Sequence, residues 1–186
     1  MTDTLQTIGP ESTMAELLGA FPGARRALFA QYHIGGCSSC AFSPEETVAQ
    51  LCARNEDLPV EEVLQHVRDT HDEDAQILIS PQALSTMLAS DKPPRLLDIR
   101  TREEFDAVRL EGAELFTQDL VQDAFANWDN AAPVVIYDHT GTRCLDAAAY
   151  FIGHGFDAVS ALEGGIDAYS RQVDSSLSRY RVEMDE

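Results

Sequence analysis

Lysine is almost missing from this chain. Lys92 is the only one in 186 residues, and 13 basic residues face 32 acidic ones, for a net charge of −19. The deficit is not confined to a tail: residues 1–70 hold 4 Arg against 10 acidic residues, and the remainder holds 9 basic against 22 acidic. A surface of that sign repels nucleic acid and anionic membranes, so neither is an expected partner. Tryptophan is also scarce, with Trp128 alone, and we read it as a packing residue ahead of a strand. No apolar run approaches the ~20 residues that cross a bilayer. The N-terminus, Met1-Thr2-Asp3-Thr4-Leu5, lacks a basic segment followed by an apolar one, so no signal peptide is expected and the expected location is cytoplasmic. The four cysteines, Cys37, Cys40, Cys52 and Cys144, are therefore not read as a structural disulfide framework.

What is present divides into two patterns. Residues 12–69 read as short helices. Ser12 or Thr13 caps a first helix carrying Met14, Leu17 and Leu18. Pro22 opens a second, with Ala24, Ala27, Leu28 and Tyr32 at helical spacing, and Gly35-Gly36 ends it. Ser43-Pro44-Glu45-Glu46 predicts a third start, with Ser43 as N-cap and Glu46 at N3. Pro59 opens a fourth, striped by Val63, Leu64 and Val67. The acidic stretch that follows predicts a linker at 70–75. From 76 to 172, short apolar runs (Ile77-Leu78-Ile79, Leu96-Leu97-Asp98-Ile99, Val134-Val135-Ile136-Tyr137 and Ala158-Val159-Ser160-Ala161) alternate with helical patterns. That alternation predicts an α/β domain, a parallel sheet with helices on both faces, preceded by a small all-α domain. Residues 173–186 are left as a C-terminal tail.

In an open parallel sheet, ligands bind beyond the carboxyl ends of the strands. Asp138-His139-Thr140-Gly141-Thr142-Arg143 sits at such an end, between an apolar strand and an Ala-rich helix beginning near Cys144. A tight loop there turns several backbone N–H groups toward a small anion site.

The order of motifs in this half resembles the rhodanese (sulfurtransferase) family. The pieces are Asp98-Ile99-Arg100 followed by Glu103-Glu104-Phe105, then Gly112-Ala113, the 138–143 loop, Gly155-Phe156, and Leu162-Glu163-Gly164-Gly165-Ile166-Asp167-Ala168-Tyr169. The resemblance implies a cysteine at the first loop position, carrying sulfane sulfur as a persulfide. Here that position is Asp138, and a carboxylate cannot accept sulfane sulfur. Asp138 can instead accept the hydrogen bonds such a loop offers to an anion and cap the helix that follows, in a structural or ligand-binding role. Arg143 is expected to hold loop carbonyls or Asp138, and His139 to be a solvated loop residue. Cys144 has two readings. It lies in a first helical turn, where the dipole lowers a thiol pKa and sulfur could be accepted, or it is a small buried residue packing under the loop.

Cys37-Ser38-Ser39-Cys40 follows His33-Ile34-Gly35-Gly36 between two predicted helices. A Cys-x-x-Cys pair without export signals reads as redox or metal chemistry. With Glu46-Thr47-Val48 and Cys52, residues 12–68 resemble the hybrid-cluster-protein-associated disulfide domains, a resemblance that implies a fold more than an activity. Cys37 and Cys40 can act as a redox dithiol or persulfide carrier. They can also serve with Cys52 as ligands to zinc or an iron–sulfur cluster, the fourth ligand coming from His33, Cys144 or a second chain in a homodimer. Against Cys52 as a ligand, it shares a helical face with Val48 and Leu51, as a core cysteine would.

These readings leave three functions open. The first is an accessory or docking protein in sulfur or redox handling, with thiol chemistry at Cys37 and Cys40, a protein partner or small sulfur or anion ligand at the Asp138 loop, and no ordinary sulfurtransferase activity. The second is a diverged sulfurtransferase working through Cys144 or Cys37/Cys40. The third is a zinc or iron–sulfur regulator.

Overall fold

In the computed structural model, residues 8–35, 42–180 are described. The chain forms two units, 1–76 and 77–186. In the first, Met14–Ala20 (α1), Ala24–Tyr32 (α2), Val48–Arg54 (α3) and Val60–Ile77 (α4) bury one apolar cluster that includes Met14, Leu17, Leu28, Leu51 and Leu64. Thr13 and Glu16 form a capping box on α1, a device that contributes about 1 kcal/mol. Helix α2 starts just after Pro22, at Ala24, and ends on His33 in the left-handed region rather than at the glycine pair.

The third helix starts later than its sequence predicts. Thr47 is the N-cap, in a capping box with Gln50. Ser43–Glu46 forms a turn instead, because the Pro44 and Glu46 carbonyls accept from the Ala15 and Met14 N–H groups at the start of α1. Those donors are orphans of a helix N-terminus, and the turn satisfies them.

The predicted linker at 70–75 is corrected outright: these residues lie inside α4. The buried stripe Val63, Val67, Thr70, Asp74 keeps helical spacing, with its last members polar. Asp74 pairs with Arg26, and Phe21 meets the His71 ring edge-on at 5.2 Å. Charge on the outer face concealed a helix whose inner face has partners.

In the second unit, Leu78–Ile79 (β1), Arg95–Asp98 (β2), Ala113–Leu115 (β3), Val134–Tyr137 (β4) and Val159–Leu162 (β5) form one sheet in the order β1-β5-β4-β2-β3, every pairing parallel. All four β4 residues are buried, as a central strand covered on both faces requires. Alternate residues sort to the two faces. Leu97, Ile136 and Ala161 pack toward Gln118–Asn127 (α7) and Cys144–Gly153 (α8). Leu96, Val135, Tyr137 and Leu162 pack toward Pro81–Leu88 (α5) and Gly165–Gln172 (α9). The remaining helix, Arg102–Ala107 (α6), follows β2. Edge strand β3 had no apolar run to announce it. It begins just after Gly112, which holds φ +78°. No described helix is long and apolar enough to cross a membrane.

Candidate functional site

The site grows out of the ends of β2 and β4, which are neighbours in the sheet. Asp98 is the last residue of β2 and is fully buried. Its carboxylate accepts from the Arg100 backbone N–H at 3.0 Å and from Arg100 Nε at 2.9 Å. Arg100 donates further to the Val108 carbonyl at 2.7 Å. Burial opposes the guanidinium charge, but Asp98 outweighs it, so the Arg100 pKa is raised. The pair thus ties the end of β2 to the segment at Val108.

Asp138 follows β4 and is only 4 % exposed. One carboxylate oxygen accepts from the Gly141 N–H, and the other from the Arg143 N–H at 2.8 Å. The loop closes around its own first side chain. The turn back passes through Gly141 at φ +84°, where a Cβ would lie 2.4 Å from the Gly164 nitrogen, so no side chain fits. Gly165 meets the loop from the other side. A Cβ there would lie 2.5 Å from the Asp138 carbonyl oxygen. That closeness lets the first N–H groups of α9 cap themselves on the loop: Ile166 donates to the Asp138 carbonyl at 2.9 Å and Asp167 to the His139 carbonyl at 3.1 Å. The Gly164-Gly165 motif and the loop are thus one construction. α9 lacks a side-chain cap because the loop backbone supplies one.

Arg143 secures Asp138 through its backbone N–H; its side chain is exposed and lines a cavity of about 780 Å³ between α7 and α8, with Ile99, Phe116, Phe125, Ala147 and Tyr150. Thr140 and Thr142 share a hydroxyl contact at 3.3 Å on the exposed side of the loop.

Cys144 is the first residue of α8, as its sequence position implies, but the thiol is not activated. It is fully buried, with Sγ 3.8 Å from the Leu162 carbonyl. Burial, and next the charge of Asp138, push its pKa well above the ordinary thiol value. Both effects act against the helix dipole, so of the two readings the small buried residue under the loop describes Cys144.

His139 corrects an expectation. The side chain is half-buried rather than fully solvated: its Nδ1 is buried, and its ring lies 4.6 Å from the ring of Tyr180. The Tyr180 hydroxyl accepts from Arg100 Nη1 and donates to Glu104 Oε1, each at 2.6 Å. Sequence reasoning missed Tyr180 and Glu104 as members of the site. Glu104 was visible in the motif after Asp98, whereas Tyr180 belongs to no motif.

Cys52 packs in the core of the helical unit beside Val48 and Leu51, and burial raises its thiol pKa. Cys37 and Cys40 lie outside the described residues. Among the described residues no group of three His, Cys, Asp or Glu side chains is placed to hold a metal ion.

The rhodanese-like domain family matches residues 80–172. The chain belongs to the rhodanese family. Among its relatives, the probable adenylyltransferase/sulfurtransferase MoeZ of Mycobacterium tuberculosis is 31% identical over 104 residues, 55% of this chain and 26% of that protein. The thiosulfate sulfurtransferase GlpE of Pseudomonas putida is 32% identical over 74 residues, 40% of this chain and 67% of that protein. The chain thus spans about a quarter of the length of the first relative and two thirds of the second. The crystal structure of reduced Bacillus anthracis CoADR-RHD shares the fold, with TM-score 0.50 and 17% identity over 66% of this chain and 21% of that one. The rhodanese match begins at Ser80 and ends at Gln172, so the helical unit and residues 173–180 lie outside it.

Proposed function

We propose that this rhodanese-like domain does not carry out thiosulfate sulfur transfer and acts as an accessory or docking module in sulfur or thiol-redox handling. The observation that supports this reading is the carboxylate of Asp138 bound by the Gly141 and Arg143 N–H groups. In the resemblance, the first loop position belongs to the persulfide-bearing cysteine. Here the loop donors that would stabilise such an anion are committed to a carboxylate fixed to the chain, and the thiol that follows the loop, Cys144, is buried and held protonated. A neutral thiol without access to solvent is a poor nucleophile.

In the same reading the thiol chemistry belongs to Cys37 and Cys40, as a redox dithiol or persulfide carrier, and the Asp138 loop is a recognition surface for a protein or a small anionic ligand. The test is a thiosulfate:cyanide assay on the wild type and on Asp138→Cys. In the active reaction a thiolate displaces sulfite from thiosulfate, keeps the sulfane sulfur as a persulfide, and passes it to cyanide as thiocyanate. The expected result is no turnover above background in the wild type and measurable turnover in Asp138→Cys, because the loop donors remain in place. Wild-type turnover that disappears in Cys144→Ala would overturn the reading in favour of a diverged sulfurtransferase. Anaerobic purification followed by metal analysis and intact mass tests the second half. Stoichiometric zinc or iron lost in Cys37→Ser/Cys40→Ser would replace the dithiol reading with a metal-binding one.

A further inference from the structure

The loop at the carboxyl edge of the sheet is exposed at Thr140 and Thr142 but covered on its His139 side. Past α9 the chain turns back on itself: the Asp174 N–H donates to the Tyr169 carbonyl at 3.1 Å, and the Leu177 carbonyl accepts from the Ser170 hydroxyl at 3.0 Å. Val173 and Leu177 pack against the apolar cluster of Leu84, Tyr137 and Ile166. From that anchor the chain runs to two polar fastenings. Arg179 Nε donates to Asp167 Oδ1 at 2.8 Å, on the first turn of α9. The Tyr180 hydroxyl joins Arg100 to Glu104, both beyond the end of β2, while its ring lies against His139 beyond the end of β4. Two neighbouring residues therefore fasten to the segments after β2 and after β5 and to the Asp138 loop itself, through His139. These residues lie beyond the family match, which stops at residue 172.

We propose that residues 174–180 form a strap over the His139 side of the Asp138 loop, with Tyr180 as its latch and Arg179 as a second fastening, so that a ligand or partner reaches His139 and Arg100 only by displacing the strap. The latch is chemically well matched. A phenol is the side chain that can accept from a guanidinium and donate to a carboxylate through one atom while covering an imidazole with its ring. Burial, and next the bond to Glu104, push the Tyr180 pKa up to about 12, so the hydroxyl keeps its proton and both bonds at neutral pH. His139 reports on the latch directly, because its Nδ1 is buried without a hydrogen-bond partner in the closed arrangement. Displacing Tyr180 would leave that nitrogen and the Arg100 Nη1 donor available to an incoming acceptor. The strap therefore selects for a partner carrying its own hydrogen-bonding group for these positions.

The test is carbethoxylation of histidines by diethyl pyrocarbonate, followed residue by residue by mass spectrometry on the full chain. In the wild type His139 is expected to react more slowly than exposed His154. In Tyr180→Ala its rate should rise about tenfold, the factor expected when a charge-assisted hydrogen bond is removed, with His154 unchanged. Arg179→Ala, at a side chain that is 53% exposed and outside the core, should give a smaller rise in a protein certain to keep its packing. A His139 rate equal to that of His154 in the wild type would overturn the strap. So would an unchanged His139 rate in Arg179→Ala and in Tyr180→Ala. The labelling does not depend on sulfur transfer, so failure here is distinct from failure of the accessory reading.

Discussion

Two carboxylates stand at the ends of adjacent strands, Asp98 on β2 and Asp138 after β4, and they are neutralised in different ways. Asp98 faces a full cation, Arg100, whose guanidinium it binds through both oxygens. Asp138 faces backbone dipoles, the N–H groups of Gly141 and Arg143. The first arrangement fixes two charges in the interior and makes each depend on the other. The second holds one negative charge with donors that belong to the loop whatever side chain stands at its head. Asp98 is thus a structural tie between loops, whereas the position of Asp138 is chemically exchangeable: the loop would hold another anion if the carboxylate were not there.

The comparison is broken most severely by Asp98→Ala. It strands Arg100 among buried groups, and removing one partner of a buried ion pair costs about 3–5 kcal/mol. Denaturant unfolding should show a midpoint shift of that size, and Tyr180 should lose its seat, since Arg100 Nη1 is one of its two partners. Asp138→Asn should cost less, about 1–3 kcal/mol, because the amide keeps one acceptor but turns an N–H₂ toward a backbone donor and leaves that donor unpaired. Amide hydrogen exchange at Gly141 and Arg143 should quicken in that variant, with the sheet amides unchanged. If the two substitutions proved equally costly, the distinction between a cation tie and a dipole cradle would fail.

How far this was legible beforehand follows the same line. The α/β half was readable because its strands are short apolar runs bounded by caps: Ser80, Thr101 and Thr117 each cap the helix that follows them. The Asp98, Asp138 and Gly164-Gly165 motifs fell in order, and the structure brings them together. The misses have physical causes. Residues 70–75 looked like a linker because charge was counted by composition, while Thr70 and Asp74 continue a buried stripe at helical spacing. The third helix was placed four residues early because Ser43-Pro44 is a good helix start locally, but α1 takes the Pro44 and Glu46 carbonyls. Of the two readings of Cys144, the buried packing residue describes the structure, because burial and the charge of Asp138 act against the helix dipole. The contact of Tyr180 with His139 and Arg100 spans the whole domain, and nothing local to the tail records it.

The smallest effect expected is one of pH. Burial pushes the Glu104 carboxyl up, but the Tyr180 hydroxyl, the Thr101 N–H and Arg100 together outweigh it and leave its pKa below the usual glutamate range. A folded-state pKa lower than the unfolded one gives stability that is present above the unfolded value, about 4.3, and is lost as pH falls through the folded value. The Arg179 fastening follows the same sign, since the Arg179 bond holds the Asp167 carboxyl below the usual aspartate range. The strap should therefore stay latched from neutral pH down to about 4 and loosen only below it. In unfolding experiments the difference between wild type and Tyr180→Phe should be constant from pH 7 to about 5 and shrink below about 4. A difference that instead vanished between pH 6 and 7 would overturn the bond to Glu104 as the source of the latch.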